Sequence, residues 1–375
     1  MALLALSSVA SACSSSPTAG PTRAPSSLPA TVPLAPVVDG ATSVTSTRAP
    51  APGVTVGAAV EGAVVPSAAH STVAGIASPT TVPPSTALAT ITPAATSTVA
   101  APSKPCAANS TTITVDGRAV LVRVPASAGG AAVVIAVHGY KGTPEGLEHF
   151  SQLTDTGTAT RAIVAYPSGS PLDLGFGWNS GAGRFATSTA DDVGILSDLV
   201  ATLVALPCAN PAKVFIVGES NGGGLAVRAA CDPRFAGRLA GVILANPAID
   251  AGVLRTCATL AHAVPVLAVA GKLDKVVGYD GSRTPFLAAA VWFATLATSV
   301  ARCGSGTPEH SAYSATVQVT TATGCSSCAA LYLVADGPHT WPGSFAGENG
   351  APPGTFPLTA IIGQVLRGTV GRCGY

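Results

Sequence analysis

Between Val214 and Cys231 the chain reads Val-Phe-Ile-Val-Gly-Glu-Ser-Asn-Gly-Gly-Gly-Leu-Ala-Val-Arg-Ala-Ala-Cys. Apolar β-branched and aromatic residues, the material of a buried strand, run into Gly218-Glu-Ser-Asn-Gly222, and helical spacing begins at once. A strand that hands over to a helix in one tight turn belongs in a layered fold of sheet and helices. Glycines two residues either side of Ser220 let the two elements approach closely. In this context G-x-S-x-G is the elbow that lifts a serine above the carboxyl edge of a sheet. Ser220 is therefore a candidate nucleophile. The first N–H groups of the helix, Asn221 foremost, face the place where negative charge would develop.

The rest of the chain from Cys106 onward supports such a layered fold. Thr111–Val115 and Ala119–Val124 predict a hairpin turning at Asp116-Gly117. Ala132–Val137, Ala162–Tyr166, Val214–Val217, Gly241–Ala245, Val264–Ala270 and Ala330–Val334 read as strands buried on both faces. Helices are predicted over Phe150–Thr160, Asp192–Leu206, Gly223–Cys231, Trp292–Val300 and Leu358–Val365. Alternation of this kind predicts an α/β domain over 105–375, a mostly parallel sheet with helices on both faces.

A serine of ordinary acidity needs a histidine base, and the base needs a carboxylate to orient it. On this architecture they follow the serine in the order acid, then histidine. Three histidines come after Ser220. His262 precedes its strand and so falls at the wrong edge, and His310 lies in a polar loop. His339, in Asp336-Gly-Pro-His-Thr-Trp-Pro-Gly343, follows the last strand and is the expected base. Asp274 directly follows the strand Val264–Ala270 and is the expected acid. Its rivals are Asp280, Asp336 and Asp250. The second oxyanion donor is expected from the Tyr140 N–H in His138-Gly-Tyr140, with His138 packed beneath that loop. Asp191 and Asp192 stand where a helix begins and read as caps.

Composition bounds the remainder. Of 375 residues 10% are charged, the formal net charge is +1, and no run reaches the ~20 apolar residues of a membrane span. Nothing here suggests nucleic-acid binding. The first aromatic residue is Tyr140, and Ser14 to Lys104 is almost wholly Ser, Thr, Pro, Ala, Val and Gly. Such a segment has too little to bury, so 14–104 reads as a disordered tether. Ahead of it, Met1 to Cys13 is a short apolar run ending in Ala-Ser-Ala-Cys, the outline of a secretion signal; it resembles a bacterial lipoprotein signal with Cys13 as the lipidated residue, the alternative being a plain secretory signal. The only membrane association expected is through that anchor. Eight of the nine cysteines lie beyond the tether, an even set suited to four disulfides in an oxidising compartment. Cys231 is expected to pair with Cys257, and Cys303 with Cys325 or Cys328. The Cys325-Ser-Ser-Cys328 motif has no second pair to complete a zinc site, and no cation-binding cluster is visible, so no metal and no cofactor are expected.

In order, Val137-His-Gly-Tyr, Tyr166-Pro-Ser-Gly, Gly177-Trp-Asn, Asp191-Asp-Val-Gly, Gly218-Glu-Ser-Asn-Gly-Gly, the Asp274 loop, a Cys303-Gly pair and Gly337-Pro-His-Thr-Trp-Pro-Gly occupy nearly all of 106–375. Together they resemble the polyhydroxybutyrate depolymerase and feruloyl esterase group of secreted α/β-hydrolases, related to carbohydrate esterase family 1. The resemblance implies an α/β-hydrolase fold, a Ser220, Asp274, His339 triad, and hydrolysis of small or oligomeric carboxylic esters without a cofactor. One departure is Ala270-Gly-Lys-Leu-Asp274 in place of the family's His-Gly-Thr-Ala-Asp. Trp178 and Trp341 are expected to line an acyl cleft. With only a short tail after the last helix, no polymer-binding module is expected, which disfavours insoluble polyester. An acyltransferase of the same fold and a non-catalytic envelope lipoprotein are the rivals.

Overall fold

The computed structural model describes residues 104–127, 129–257, 262–344 and 354–375. The expected signal with Cys13 and all but the last residue of the expected tether lie outside them. Strands β1 (Asn109–Val115) and β2 (Arg118–Val124) form the predicted hairpin, which turns at Asp116 and Gly117. β3 (Ala131–Val137) follows, and then two helices where one was expected, α1 (Pro144–Ser151) and α2 (Leu153–Thr160). Gln152 separates them with φ at 52°, a left-handed conformation that ends α1. The start of α1 carried a readable signal in Thr143-Pro144: the Thr143 hydroxyl accepts the Gly146 N–H, and proline occupies the first turn.

β4 (Ile163–Pro167) leads into a small hairpin of β5 (Ser170–Leu172) and β6 (Gly175–Gly177). Next come α3 (Asp192–Val204), β7 (Ala209–Glu219), α4 (Ser220–Cys231), β8 (Gly241–Ala245) and the short α5 (Ala251–Leu254). β9 (Val266–Gly271), α6 (Ala289–Ser299), β10 (Glu309–Ala312), β11 (Val317–Thr321), β12 (Ala329–Val334) and α7 (Leu358–Arg367) complete the chain.

The main sheet has the order β1-β2-β4-β3-β7-β8-β9-β12-β11-β10. Its six central strands are parallel, and antiparallel pairs close each side. β3 explains why central strands are apolar throughout. Val133, Ile135 and Val137 enter a core shared with α3, α4 and α6, while Ala132, Val134 and Ala136 enter one shared with α1, α2 and α7. This is the α/β-hydrolase fold, with the G-x-S-x-G turn at the β7–α4 junction.

Four disulfides use all eight described cysteines: Cys106–Cys208, Cys231–Cys257, Cys303–Cys325 and Cys328–Cys373. The two expected pairings are present, and the members of the CxxC motif go to different partners. Four disulfides mark a chain that matures in an oxidising compartment. No described helix is long and apolar enough to cross a membrane.

Candidate active site

Ser220 takes φ of 49°, a conformation that L residues other than Asn, Asp and Gly rarely adopt. What holds it there is backbone crowding. A Cβ at Gly218 would lie 2.3 Å from the Gly222 carbonyl oxygen, and one at Gly222 would lie 2.3 Å from that of Val137. Only glycine fits at either position, so the pattern of glycines around the serine is a packing requirement.

His339 reaches Ser220 from the loop after β12. Its Nε2 is 2.9 Å from Ser220 Oγ, and its Nδ1 is 2.7 Å from Asp274 Oδ2. A carboxylate can only accept, so Nδ1 carries the proton and Nε2 accepts from the serine hydroxyl. Asp274 Oδ1 in turn accepts the N–H groups of Val276 and Val277 at 2.8 and 2.9 Å. Burial by itself would raise the Asp274 carboxyl. The hydrogen bond and charge of His339, with the two backbone donors, outweigh burial and hold it below the ordinary carboxylate value.

The rivals are engaged elsewhere. Asp250 accepts the Gly252 and Val253 N–H groups at the start of α5, and also that of Gly183. Asp280 accepts the Ser282 N–H, and Asp336 accepts from Thr355. His310 lies on β10 beside Thr320, and His262 is exposed near Gly237. Asp191 caps α3 through the Gly194 N–H. Asp192 does something else: it is buried, paired with Arg118 at 2.8 Å, and accepts the Asn179 N–H.

Ser220 opens into a cleft of ≈ 360 Å³ lined by Tyr140, Arg184, Phe185, Asn221, Val276, Val277 and Phe286, among others. Both expected oxyanion residues line this cleft. The Asn221 N–H lies in the first turn of α4, where an N–H has no acceptor within its own helix. The Asn221 side chain faces the other way. It is buried, accepts the Trp178 N–H at 2.8 Å and donates to Ser180 Oγ at 2.9 Å. Tyr140 sets its ring edge-on to Phe185, with the Arg184 guanidinium 5.2 Å from the ring centre and Arg184 paired to Asp173.

The two tryptophans do not line this cleft, which corrects the expectation from sequence. Trp178 is fully buried, packs on His138 and donates its indole N–H to the His138 carbonyl at 2.8 Å. Trp341 is 2% exposed and donates to Thr359 Oγ1. Large apolar rings make good cleft walls and equally good core, and only the packed fold distinguishes the two. The cleft's aromatic wall comes instead from Phe185, in the short 3-10 helix Gly183–Thr187, and Phe286, in a loop, neither with a periodicity to mark it.

No protein-family model matches the chain. A curated relative, feruloyl esterase B of Piromyces equi, is 29% identical over 170 residues, covering 44% of this chain and 30% of the relative. The chain thus matches under a third of that protein's length. Among solved structures, an acetyl xylan esterase from Aspergillus awamori aligns over 62% of this chain and 94% of its own, at 15% identity and a TM-score of 0.46. Esterase PE8 aligns over 66% and 97%, at 18% identity and a TM-score of 0.43.

Proposed function

We propose that this chain is an exported serine esterase that hydrolyses carboxylic esters through an acyl-enzyme on Ser220. The observation that carries it is the hydrogen-bonded chain Asp274–His339–Ser220 at the mouth of an apolar cleft. The name of the partial relative, a feruloyl esterase, agrees with ester hydrolysis.

In this mechanism Asp274 fixes the His339 tautomer and orientation, which leaves the Nε2 lone pair on the Ser220 hydroxyl. As Oγ bonds to the ester carbonyl carbon, its proton passes to Nε2 and the carbonyl oxygen gains negative charge. Asn221 and Tyr140 backbone N–H groups stabilise that charge. His339 then gives the proton to the departing alkoxide. A water molecule, deprotonated by His339, cleaves the acyl-enzyme by the same steps in reverse. Asp274, held below the ordinary carboxylate value, stays ionised throughout and stabilises the imidazolium.

The cleft's walls of Phe185, Phe286, Val276 and Val277 favour an apolar acyl group, and its size suits one such as a phenylpropenoyl or short hydroxyacyl unit. Turnover of a panel of p-nitrophenyl acyl esters, methyl ferulate and hydroxybutyrate oligomers, with Ser220→Ala alongside, tests this. Ser220→Ala should reduce kcat by about four orders of magnitude or more while keeping its melting transition. Retained turnover would sink the assignment.

Export is supported by the four disulfides. We further assign the membrane anchor to lipidation at Cys13, on the run Ala10-Ser-Ala-Cys13. Detergent partitioning should then retain the wild-type chain and release Cys13→Ala, and an unmodified Cys13 by mass spectrometry would rule the anchor out.

A further inference from the structure

We propose that Asn246 is the positioning residue of this site, the group that fixes the acid loop and the histidine loop to each other. The inference rests on the triad assigned above and extends it to a residue that makes no contact with the nucleophile.

Asn246 follows the last residue of β8, and its N–H donates to the Val269 carbonyl of β9 at 2.9 Å. Its φ is 43°, a left-handed conformation that asparagine tolerates better than other non-glycine residues. The turn sends its side chain sideways along the carboxyl edge of the sheet. There it is 3% exposed, and both ends of the carboxamide are used. Oδ1 accepts the Gly271 N–H at 2.9 Å. Nδ2 donates to the Thr340 carbonyl at 2.8 Å and to the Pro338 carbonyl at 3.3 Å. Gly271 ends the strand that delivers Asp274, and Pro338 and Thr340 are the two neighbours of His339. One planar group therefore grips the acid's strand with its acceptor and the histidine's loop with its donors.

The chemistry required is narrow. Two inward carbonyls need donors and one N–H needs an acceptor, within the span of a single short side chain. Aspartate has no donors, and an aliphatic residue has neither function. Small voids, no larger than a water molecule, flank the carboxamide on both sides. One cavity of ≈ 10 Å³ borders Asn246, Gly271, Pro338 and Thr340. Another of ≈ 10 Å³ borders Asn246, Ala270, Asp274 and Trp292. Main-chain bonds from Leu273 to Gly337 and from Lys272 to Val334 also join the two segments, but neither reaches Pro338 or Thr340, so loss of the Asn246 bonds frees the two residues that flank His339 and misaligns Nδ1 and Oδ2.

The test compares Asn246→Asp, which keeps shape and acceptor but removes both donors, with Asn246→Gly, which accepts the left-handed backbone. Both are measured on p-nitrophenyl acetate beside wild type, Ser220→Ala and Asp274→Asn. Each should lower kcat about 10- to 100-fold with KM nearly unchanged, in a protein that still melts cooperatively. In an Asp274→Asn background Asn246→Asp should cost little more, since the pair it aligns is already broken. A folded variant with wild-type kcat, or the same loss with and without Asp274, overturns the proposal. So does failure of both variants to fold, which would make the role purely structural. The Ser220→Ala control separates the two levels: if it stays active the triad assignment fails, and if it is dead while the Asn246 variants are active, only Asn246 is wrong.

Discussion

His138 offers a sharp test of how the loop that carries Tyr140 is held. Its Nδ1 lies 2.7 Å from the Gly139 carbonyl oxygen, and its Nε2 is 3.0 Å from the Gly169 nitrogen. A carbonyl only accepts and a backbone N–H only donates, so the neutral ring protonated at Nδ1 satisfies both partners. Protonating Nε2 would set two N–H groups against each other and place a charge on a side chain that is 1% exposed. Burial is accordingly the main cause of its lowered pKa, about 4, with the Gly139 carbonyl acting weakly in the opposite direction.

Unfolded histidine titrates near 6.5, so between pH 6.5 and 4 the unfolded chain binds the extra proton and the folded one does not. Stability from this residue is therefore complete above about pH 6.5 and is lost as pH falls toward 4. By pH 5 the loss is about 2 kcal/mol. Urea denaturation of wild type and His138→Asn at pH 7.5 and pH 5 reads it as a difference of differences. His138→Asn sits lower at pH 7.5, because it loses the ring packed on Trp178. Wild type should nevertheless lose about 2 kcal/mol more than the variant on going to pH 5. Asp274, whose folded value is depressed, contributes stability above the unfolded carboxylate value and loses it only as pH falls further, and it cancels in the comparison. Parallel losses in the two proteins, or an NMR titration of His138 near 6.5, would refute the buried-neutral account.

Two other outcomes follow from the same structure. Ser220→Ala combined with His339→Ala should lose scarcely more activity than either alone, because each removes the same proton-transfer unit; steady-state kcat with p-nitrophenyl acetate checks this. Replacing Cys106 and Cys208 by alanine opens a loop spanning a separation of 102 residues, and should lower unfolding stability by about 4–5 kcal/mol in urea titrations of the oxidised protein.

Much of this architecture was legible because buried strands declare themselves. β8 is read from Gly241–Ala245 without error, since the apolar run Val242–Ala245 between Gly241 and Asn246-Pro247 leaves little choice. The order serine, acid, histidine picked three residues out of a long chain, because each follows a strand at the same edge; the structure brings these three within hydrogen-bond reach. Less legible was anything set by contact between distant segments. β10 is exposed along its whole length and carries Glu309 and His310, so no apolar alternation marks it. The break at Gln152 depends on a left-handed residue that is neither glycine nor asparagine. Trp178 and Trp341 could not be assigned to cleft or core until their indole partners were known, His138 and Thr359.

Asn246 was invisible for a related reason: it has no motif, and its partners are backbone atoms far along the chain. Apart from the Asn246 bonds, the acid and histidine loops meet through main chain. A Cβ on Gly271 would lie 2.1 Å from the Gly337 carbonyl oxygen, so the two loops touch where neither has a side chain. The Leu273 N–H donates to that same carbonyl at 2.9 Å, and the Lys272 N–H donates to Val334 at 2.8 Å. Such contacts place no demand on the side chains of Lys272 and Leu273. This explains how Lys272 and Leu273 can depart from the resembling pattern while the glycine and the aspartate stay. The glycine is required by the approach of Gly337, and the aspartate by His339. Between them, the main chain and one buried carboxamide hold Asp274 and His339 in line with Ser220.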